Sequence, residues 1–183
     1  MPADQAACTA AVLEETPDAV VISNLGVASY VLSGVADRSR NFYLWGSMGS
    51  TTATGIGVAY GTDEQVTVLD GDGSLTMSLG VLATVANADV PNLTVVCFDN
   101  GTYGTTGGQP TPSIEFAAAA EACGLPANSV ETTNGFTEAY SAASNRETAS
   151  VIECDVTPVD PDSRPMFDFS HITRRVRDAL TEE

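Results

Sequence analysis

The sequence contains no lysine. Its seven basic residues are all arginines, set against 24 aspartates and glutamates, for a formal net charge of -17. Ordinary soluble domains carry a net charge of about 2–8 in magnitude. The excess disfavours nucleic acid and anionic membranes as partners, because their phosphates are repelled. The acids are spread along the chain rather than gathered in a tail, a pattern that predicts adaptation to high salt, where the Debye length shrinks to about 3 Å at 1 M. The single histidine, His171, stands apart from any Cys, Asp or Glu cluster, which argues against a His-based zinc site. The four cysteines, Cys8, Cys97, Cys123 and Cys154, are widely separated, so there is no CxxC metal or redox signal. Cys97 and Cys154 fall in apolar runs and read as small buried hydrophobes. No run of 18 apolar residues is present, and the segment from Met1 to Ala10 lacks a basic region followed by an apolar stretch. The expected compartment is therefore the cytoplasm. There is no internal repeat, low-complexity tract or interior linker. With 183 residues, the chain reads as one domain, 1–183, with a Pro-rich C-terminal tail over 157–183.

What is present alternates. Short runs rich in Val, Leu and Ile, at Ala19–Ser23, Phe42–Trp45, Gln65–Asp70, Leu93–Asp99 and Ser150–Asp155, read as strands buried on both faces. Helical patterns lie near 4–15, 27–34, 49–60, 74–87, 113–122 and 135–144, with a terminal helix over 171–182. This alternation predicts an α/β fold: three layers, α/β/α, around a mainly parallel sheet. Ligands of such sheets bind beyond the carboxyl ends of the strands. That rule points to the residues after Trp45, Leu69 and Phe98, all three rich in glycine and polar side chains.

The second of these places is Asp70-Gly71-Asp72-Gly73-Ser74. Glycines there let backbone N–H groups approach a phosphate, but Asp72 would repel a bare one. The conflict disappears if Asp72 holds a divalent cation that the phosphates also bind, as Mg²⁺ commonly does. The third is Asp99-Asn100-Gly101-Thr102-Tyr103-Gly104, where the Asn100 amide oxygen is a hard ligand suited to the same cation and the following turn could offer a carbonyl.

Gly71-Asp72-Gly73, then residues 74–98, then Asp99-Asn100 resembles the signature of the thiamine-diphosphate enzyme superfamily. Asp99 departs from that signature, in which the first position is Asn. The resemblance implies a thiamine-diphosphate-binding fold, with Asp72 and Asn100 ligating Mg²⁺ through side chains and Thr102 through its carbonyl. It assigns Gly71, Gly73, Ser74 and Tyr103 to the cofactor. Gly46-Ser47-Met48-Gly49 is similar to the segment that grips the aminopyrimidine, with Met48 as the apolar residue that bends the cofactor. The segments Val20–Gly26, Asn41–Gly49 and Asp99–Thr111 resemble the β chains of sulfopyruvate decarboxylases and the related phosphonopyruvate decarboxylases. The likeness runs from about residue 12 to 155. Thr106 and Gln109 lie on its most specific loop and are candidates to meet substrate.

These resemblances imply non-oxidative decarboxylation of an anionic 2-oxo acid, sulfopyruvate first, within coenzyme M synthesis. The glutamate that activates the cofactor belongs, in this superfamily, to a pyrimidine-binding domain, for which the chain has no room. A separate α subunit and an α/β hetero-oligomer are therefore expected. The anionic end of the substrate calls for cationic or amide donors. Arg38 and Arg40 precede a strand, whereas Arg174, Arg175 and Arg177 read as a solvated helix face. The competing readings are phosphonopyruvate decarboxylase, the β subunit of a 2-oxoacid:ferredoxin oxidoreductase, and a non-catalytic subunit that retains the fold. Short length and scattered cysteines speak against the second of these.

Overall fold

A computed structural model describes residues 2–181. Met1, and Glu182 at the expected end of the terminal helix, lie outside the described residues. Six strands form one all-parallel sheet: β1 (Val20–Ser23), β2 (Asn41–Tyr43), β3 (Val66–Gly71), β4 (Leu93–Asp99), β5 (Ala127–Val130) and β6 (Ser150–Asp155). Their spatial order is β2-β1-β3-β4-β6-β5. The helices are α1 (Gln5–Glu15), α2 (Val27–Val35), α3 (Thr51–Ala59), α4 (Asp72–Met77), α5 (Val81–Asn87), α6 (Phe116–Ala122), α7 (Thr133–Ser144) and α8 (Phe169–Thr181).

Alternation along each strand sends side chains to opposite faces. Val20, Ile22, Val66, Val68, Val95 and Val151 pack with Ile56, Leu82 and Phe116 beneath α3, α5 and α6. Val21, Leu69, Val96, Phe98 and Ile152 pack with Val12, Leu32, Phe136 and Tyr140 beneath α1, α2 and α7. Two cores separated by one sheet make the three layers. Cys97 and Cys154 are buried in them, as their apolar settings imply. Among the described residues no helix is long and apolar enough to cross a membrane.

Several boundaries differ from the sequence pattern. Strand β5, with the polar sequence ANSV, has no apolar run to announce it, because it sits at the sheet edge and buries little. The single helix expected over 74–87 is two, α4 and α5, broken at Ser78, where the chain leaves helical angles before Gly80. The strand expected over Phe42–Trp45 is Asn41–Tyr43, and the helix expected from 113 begins only at Phe116.

The arginines on α8 do not share one solvated face. Arg175 is largely buried: its Nη2 pairs with Asp37 Oδ1 at 2.9 Å and donates to the Asn41 carbonyl at 3.1 Å. Ile172 and Val176 are buried beside it, so α8 closes over β2. The segment leading there crosses α2: Ser163 Oγ meets Ser33 Oγ at 2.9 Å, the Arg164 guanidinium lies 3.8 Å over the Tyr30 ring, and Phe167 meets Trp45 edge-on. Arg38 and Arg40 serve the amino-terminal ends of β1 and β2, where Arg38 Nε also donates to Asn41 Oδ1 at 3.2 Å. Arg38 donates to the carbonyls of Pro17 and Ala19, and Arg40 to that of Asp18 while pairing with Glu64 at 3.2 Å.

Candidate functional site

The carboxyl ends of β1, β3 and β4 open onto one cleft. Met48, Gly71, Asp72, Gly73, Ser74, Asn100, Thr102, Tyr103 and Thr106 all line it, so nine of the residues singled out by sequence come together from three separate segments. Gly46 and Ser47 lie in the turn that delivers Met48, not on the wall. Ser47 has φ 55°, the only positive φ of a non-glycine among the described residues, and Gly46 and Gly49 flank it at 73° and 88°. Left-handed backbone at a serine persists only where surroundings impose it. Here the Gly49 N–H donates to Ser74 Oγ at 3.0 Å, tying the turn to the start of α4. Gln109 stays off the wall, its side chain folded against Gly107.

Gly73 sits at the point of closest approach. A methyl group there would lie 2.4 Å from Tyr103 Cε1 and 3.2 Å from Met48 Cε, so any side chain displaces both. The cleft floor is acidic. Asp70 is fully buried and accepts from Thr52 Oγ1 at 2.8 Å and from the Gly71 N–H. Burial pushes its carboxyl above the usual range, against the pull of bonds from Ser74, Thr52 and Gly71. Asp72 is 4% exposed. Burial, reinforced by the Asp99 carboxylate, pushes it up to about 6, while the Thr111 hydroxyl and Gly73 N–H pull it down.

The turn after β4 presents oxygen atoms. Asn100 Oδ1 accepts from the Thr102 N–H at 2.9 Å. Tyr103 N–H donates to Gln109 O and Thr111 N–H to Gly101 O, closing a small hairpin in which Thr102 bridges Pro110. Thr102 is thus in a non-hydrogen-bonded pair, with its own N–H and C=O directed away from Pro110, on the Asn100 side. No three His, Cys, Asp or Glu side chains cluster as a metal group among the described residues. The oxygen set is one carboxylate, one amide and one carbonyl, which matches a hard cation such as Mg²⁺ that keeps further positions for phosphate or water. Gln5 adds an independent sign that a polar ligand belongs here. It is 2% exposed, it lines the cleft from α1, and its Oε1 has no hydrogen-bond partner. A buried polar atom left without a partner is rare in folded proteins. The residues therefore fit a diphosphate–cation pair.

Sequence reasoning passed over Gln5, Asn24, Asp70 and Thr105 as lining residues. Asn24 and Asp70 had a usable signal, since each stands at the carboxyl end of an apolar strand. Gln5 had none, because it arrives from the other end of the chain through the Ala3–Val156 bridge.

Residues 22–154 match the family described as thiamine pyrophosphate enzyme, C-terminal TPP binding domain. The chain belongs to the thiamine pyrophosphate enzymes. Within them it is 37% identical to the sulfopyruvate decarboxylase subunit beta of Methanocaldococcus jannaschii over 142 residues, 76% of either chain. It is 45% identical to the subunit of the same name from Methanothermobacter thermautotrophicus over 110 residues, 59% of this chain and 60% of that one. It is also 37% identical to the phosphonopyruvate decarboxylase of Streptomyces hygroscopicus across 99% of this chain, but only 48% of that protein. The fold is shared with the benzoylformate decarboxylase of Polynucleobacter necessarius, at a TM-score of 0.76 and 23% identity, over 88% of this chain and 34% of that one. The chain thus spans three quarters of the Methanocaldococcus subunit, half of the Streptomyces protein and a third of the solved structure. Apart from Gln5, every residue that lines the acidic cleft over β1, β3 and β4 falls within the matched span.

Proposed function

We propose that the chain is the diphosphate-binding, β-type subunit of a thiamine-diphosphate- and Mg²⁺-dependent 2-oxoacid decarboxylase, acting on sulfopyruvate to give sulfoacetaldehyde and CO₂. The observation that carries this reading is that Asp72, Asn100 and Thr102 line one cleft, with Asn100 Oδ1 accepting the Thr102 N–H at 2.9 Å. Asp72, Asn100 and Thr102 hold the cation. Gly71, Gly73 and Ser74 hold the diphosphate. Met48 and Tyr103, packed over Gly73, face the rings. When bound, thiamine diphosphate supplies the electron sink for loss of CO₂ from a 2-oxo acid. Thr106 lines the same cleft and is the substrate-facing candidate. Gln109 reaches substrate only if its loop rearranges.

Two features favour a split site. The cavity is about 80 Å³, below the roughly 300–1,000 Å³ of pockets that enclose a drug-sized ligand, which supports a site completed by walls from a partner. None of the seven arginines lines the cleft, and the glutamate that activates the cofactor in this superfamily belongs to a pyrimidine-binding domain, which the partner supplies. Phosphonopyruvate is the competing substrate, favoured by the match that spans nearly the whole chain.

The test is calorimetric titration of thiamine diphosphate with Mg²⁺ in molar KCl, using the chain alone and mixed with a candidate pyrimidine-binding chain. Binding should strengthen on mixing and disappear in Asp72→Ala and Asn100→Ala. Gly73→Ala should weaken it by displacing Tyr103. Sulfopyruvate and phosphonopyruvate are then compared by CO₂ release. A folded chain that binds no cofactor in any combination refutes the proposal.

A further inference from the structure

Thr111 lies off the cleft wall, yet it touches both halves of the candidate cation site. Its Oγ1 donates to Asp72 Oδ2 at 2.6 Å. Its backbone N–H donates to the carbonyl of Gly101, the residue between Asn100 and Thr102, at 3.1 Å. One residue therefore joins the strand end carrying Asp72 to the turn carrying the other two oxygen ligands. The 2.6 Å separation falls in the range of a charge-assisted O–H···O⁻ bond, roughly twice as strong as a neutral one. A carboxylate held through one oxygen presents the other in a fixed direction, whereas an unheld aspartate samples several rotamers.

Thr111 is itself held from both sides. Upstream, the Thr102–Pro110 bridge and the Tyr103 N–H to Gln109 O bond set its position relative to the ligand turn. Downstream, the chain enters α6, where Glu153 on β6 accepts the N–H groups of Phe116 and Ala117 at 3.2 and 3.0 Å. Buried Phe116 fixes that end in the core. The hydroxyl is thus delivered to Asp72 by a loop clamped at both ends rather than by a free side chain.

We propose that Thr111 is a positioning residue for the cation. It locks Asp72 in the orientation in which its second oxygen converges with Asn100 Oδ1 and the Thr102 carbonyl. It acts through Asp72 and does not touch the metal. The proposal rests on the Mg²⁺ reading of the cleft.

The test uses the full chain in molar KCl with thiamine diphosphate in excess, and Mn²⁺ as a paramagnetic stand-in whose free fraction is read by electron paramagnetic resonance. Thr111→Val keeps the β-branched shape and the backbone bond but removes the donor. It should lower Mn²⁺ affinity about 10–100-fold, the usual loss when an outer partner of a metal ligand is removed. Thr111→Ser should restore affinity to near the wild-type value. Metal-free melting temperatures should stay close together across the three proteins, which separates positioning from general unfolding. If Thr111→Val does not fold, Thr111→Ala removes the same hydroxyl without adding volume and serves in its place. Wild-type affinity in the hydroxyl-free variant, or a loss that serine does not restore, overturns the proposal. A wild-type chain that binds no Mn²⁺ with the cofactor, either alone or mixed with a candidate pyrimidine-binding chain, overturns the reading of the cleft, and this proposal with it.

Discussion

Asp70 and Asp72 lie two residues apart, and their surroundings give them different work. Asp70 is sealed among Thr52, Ser74 and the Gly71 N–H, where it braces α3 and α4 against the end of β3. Asp72 opens onto the cleft with one oxygen on Thr111. Tyr43 shows how the same physics acts away from the site. Its hydroxyl donates to Asp37 Oδ1 at 3.0 Å and accepts from Asn41 Nδ2, beneath Arg175. Burial, with the Asp37 carboxylate adding to it, pushes Tyr43 up to about 12 from an ordinary value of 10. The folded chain therefore holds this proton more tightly than the unfolded chain does. The resulting stability is complete below pH 10 and is lost as pH rises through 12. Urea-denaturation midpoints of the wild type should fall across that window, and Tyr43→Phe should fall less. Parallel curves for the two proteins would show that Tyr43 does not govern the alkaline transition.

Helix α6 depends on a residue from another element. It has no side-chain N-cap of its own, and Glu153 supplies one from β6. Glu153 is buried beside Cys97 on β4, two residues before the Asp99-Asn100 pair. Removing it leaves two buried N–H groups without acceptors, a loss of about 1–3 kcal/mol for each. Glu153→Ala should lower the urea midpoint by a corresponding amount and make residues 100–115 more open to limited proteolysis. Glu153→Gln, which can still accept one of the two bonds, should fall between. Unchanged cleavage in Glu153→Ala would mean that the loop is held from its upstream end alone.

Charge acts on the molecule as a whole. Only four ion pairs form among the described residues, each through an arginine, against 24 acidic residues in the sequence. Most carboxylates therefore repel one another across the surface, and compaction concentrates that repulsion. Screening relieves it, because the Debye length falls from about 10 Å at 0.1 M salt to about 3 Å at 1 M. The melting temperature should rise steadily from 0.1 to 2 M KCl, well beyond the rise given by sucrose at matched osmolality. A flat salt profile would show that the acidic surface does not set the stability of this chain.

The sequence by itself determined the layer order and the meeting place of the site. Apolar strands buried on both faces can only be covered by helices on both sides, and the glycine-rich segments sit at the carboxyl ends that such a sheet turns to one edge. Asp72 and Asn100 stand out because each sits in a local pattern that carries its own chemistry, and Thr102 stands out through the family resemblance; all three line one cleft. Tertiary structure decided what has no local pattern. Strand β5 is polar because an edge strand needs little burial, and its place follows from pairing with β6. Arg175 reads as one more charge on a helix face until α8 sets it against Asp37 and Tyr43. Gln5 reaches the cleft from the far end of the chain, and Thr111 meets Asp72 across 39 positions. Such contacts arise from how strands and loops are brought side by side, a long-range consequence of packing that no short stretch of sequence encodes.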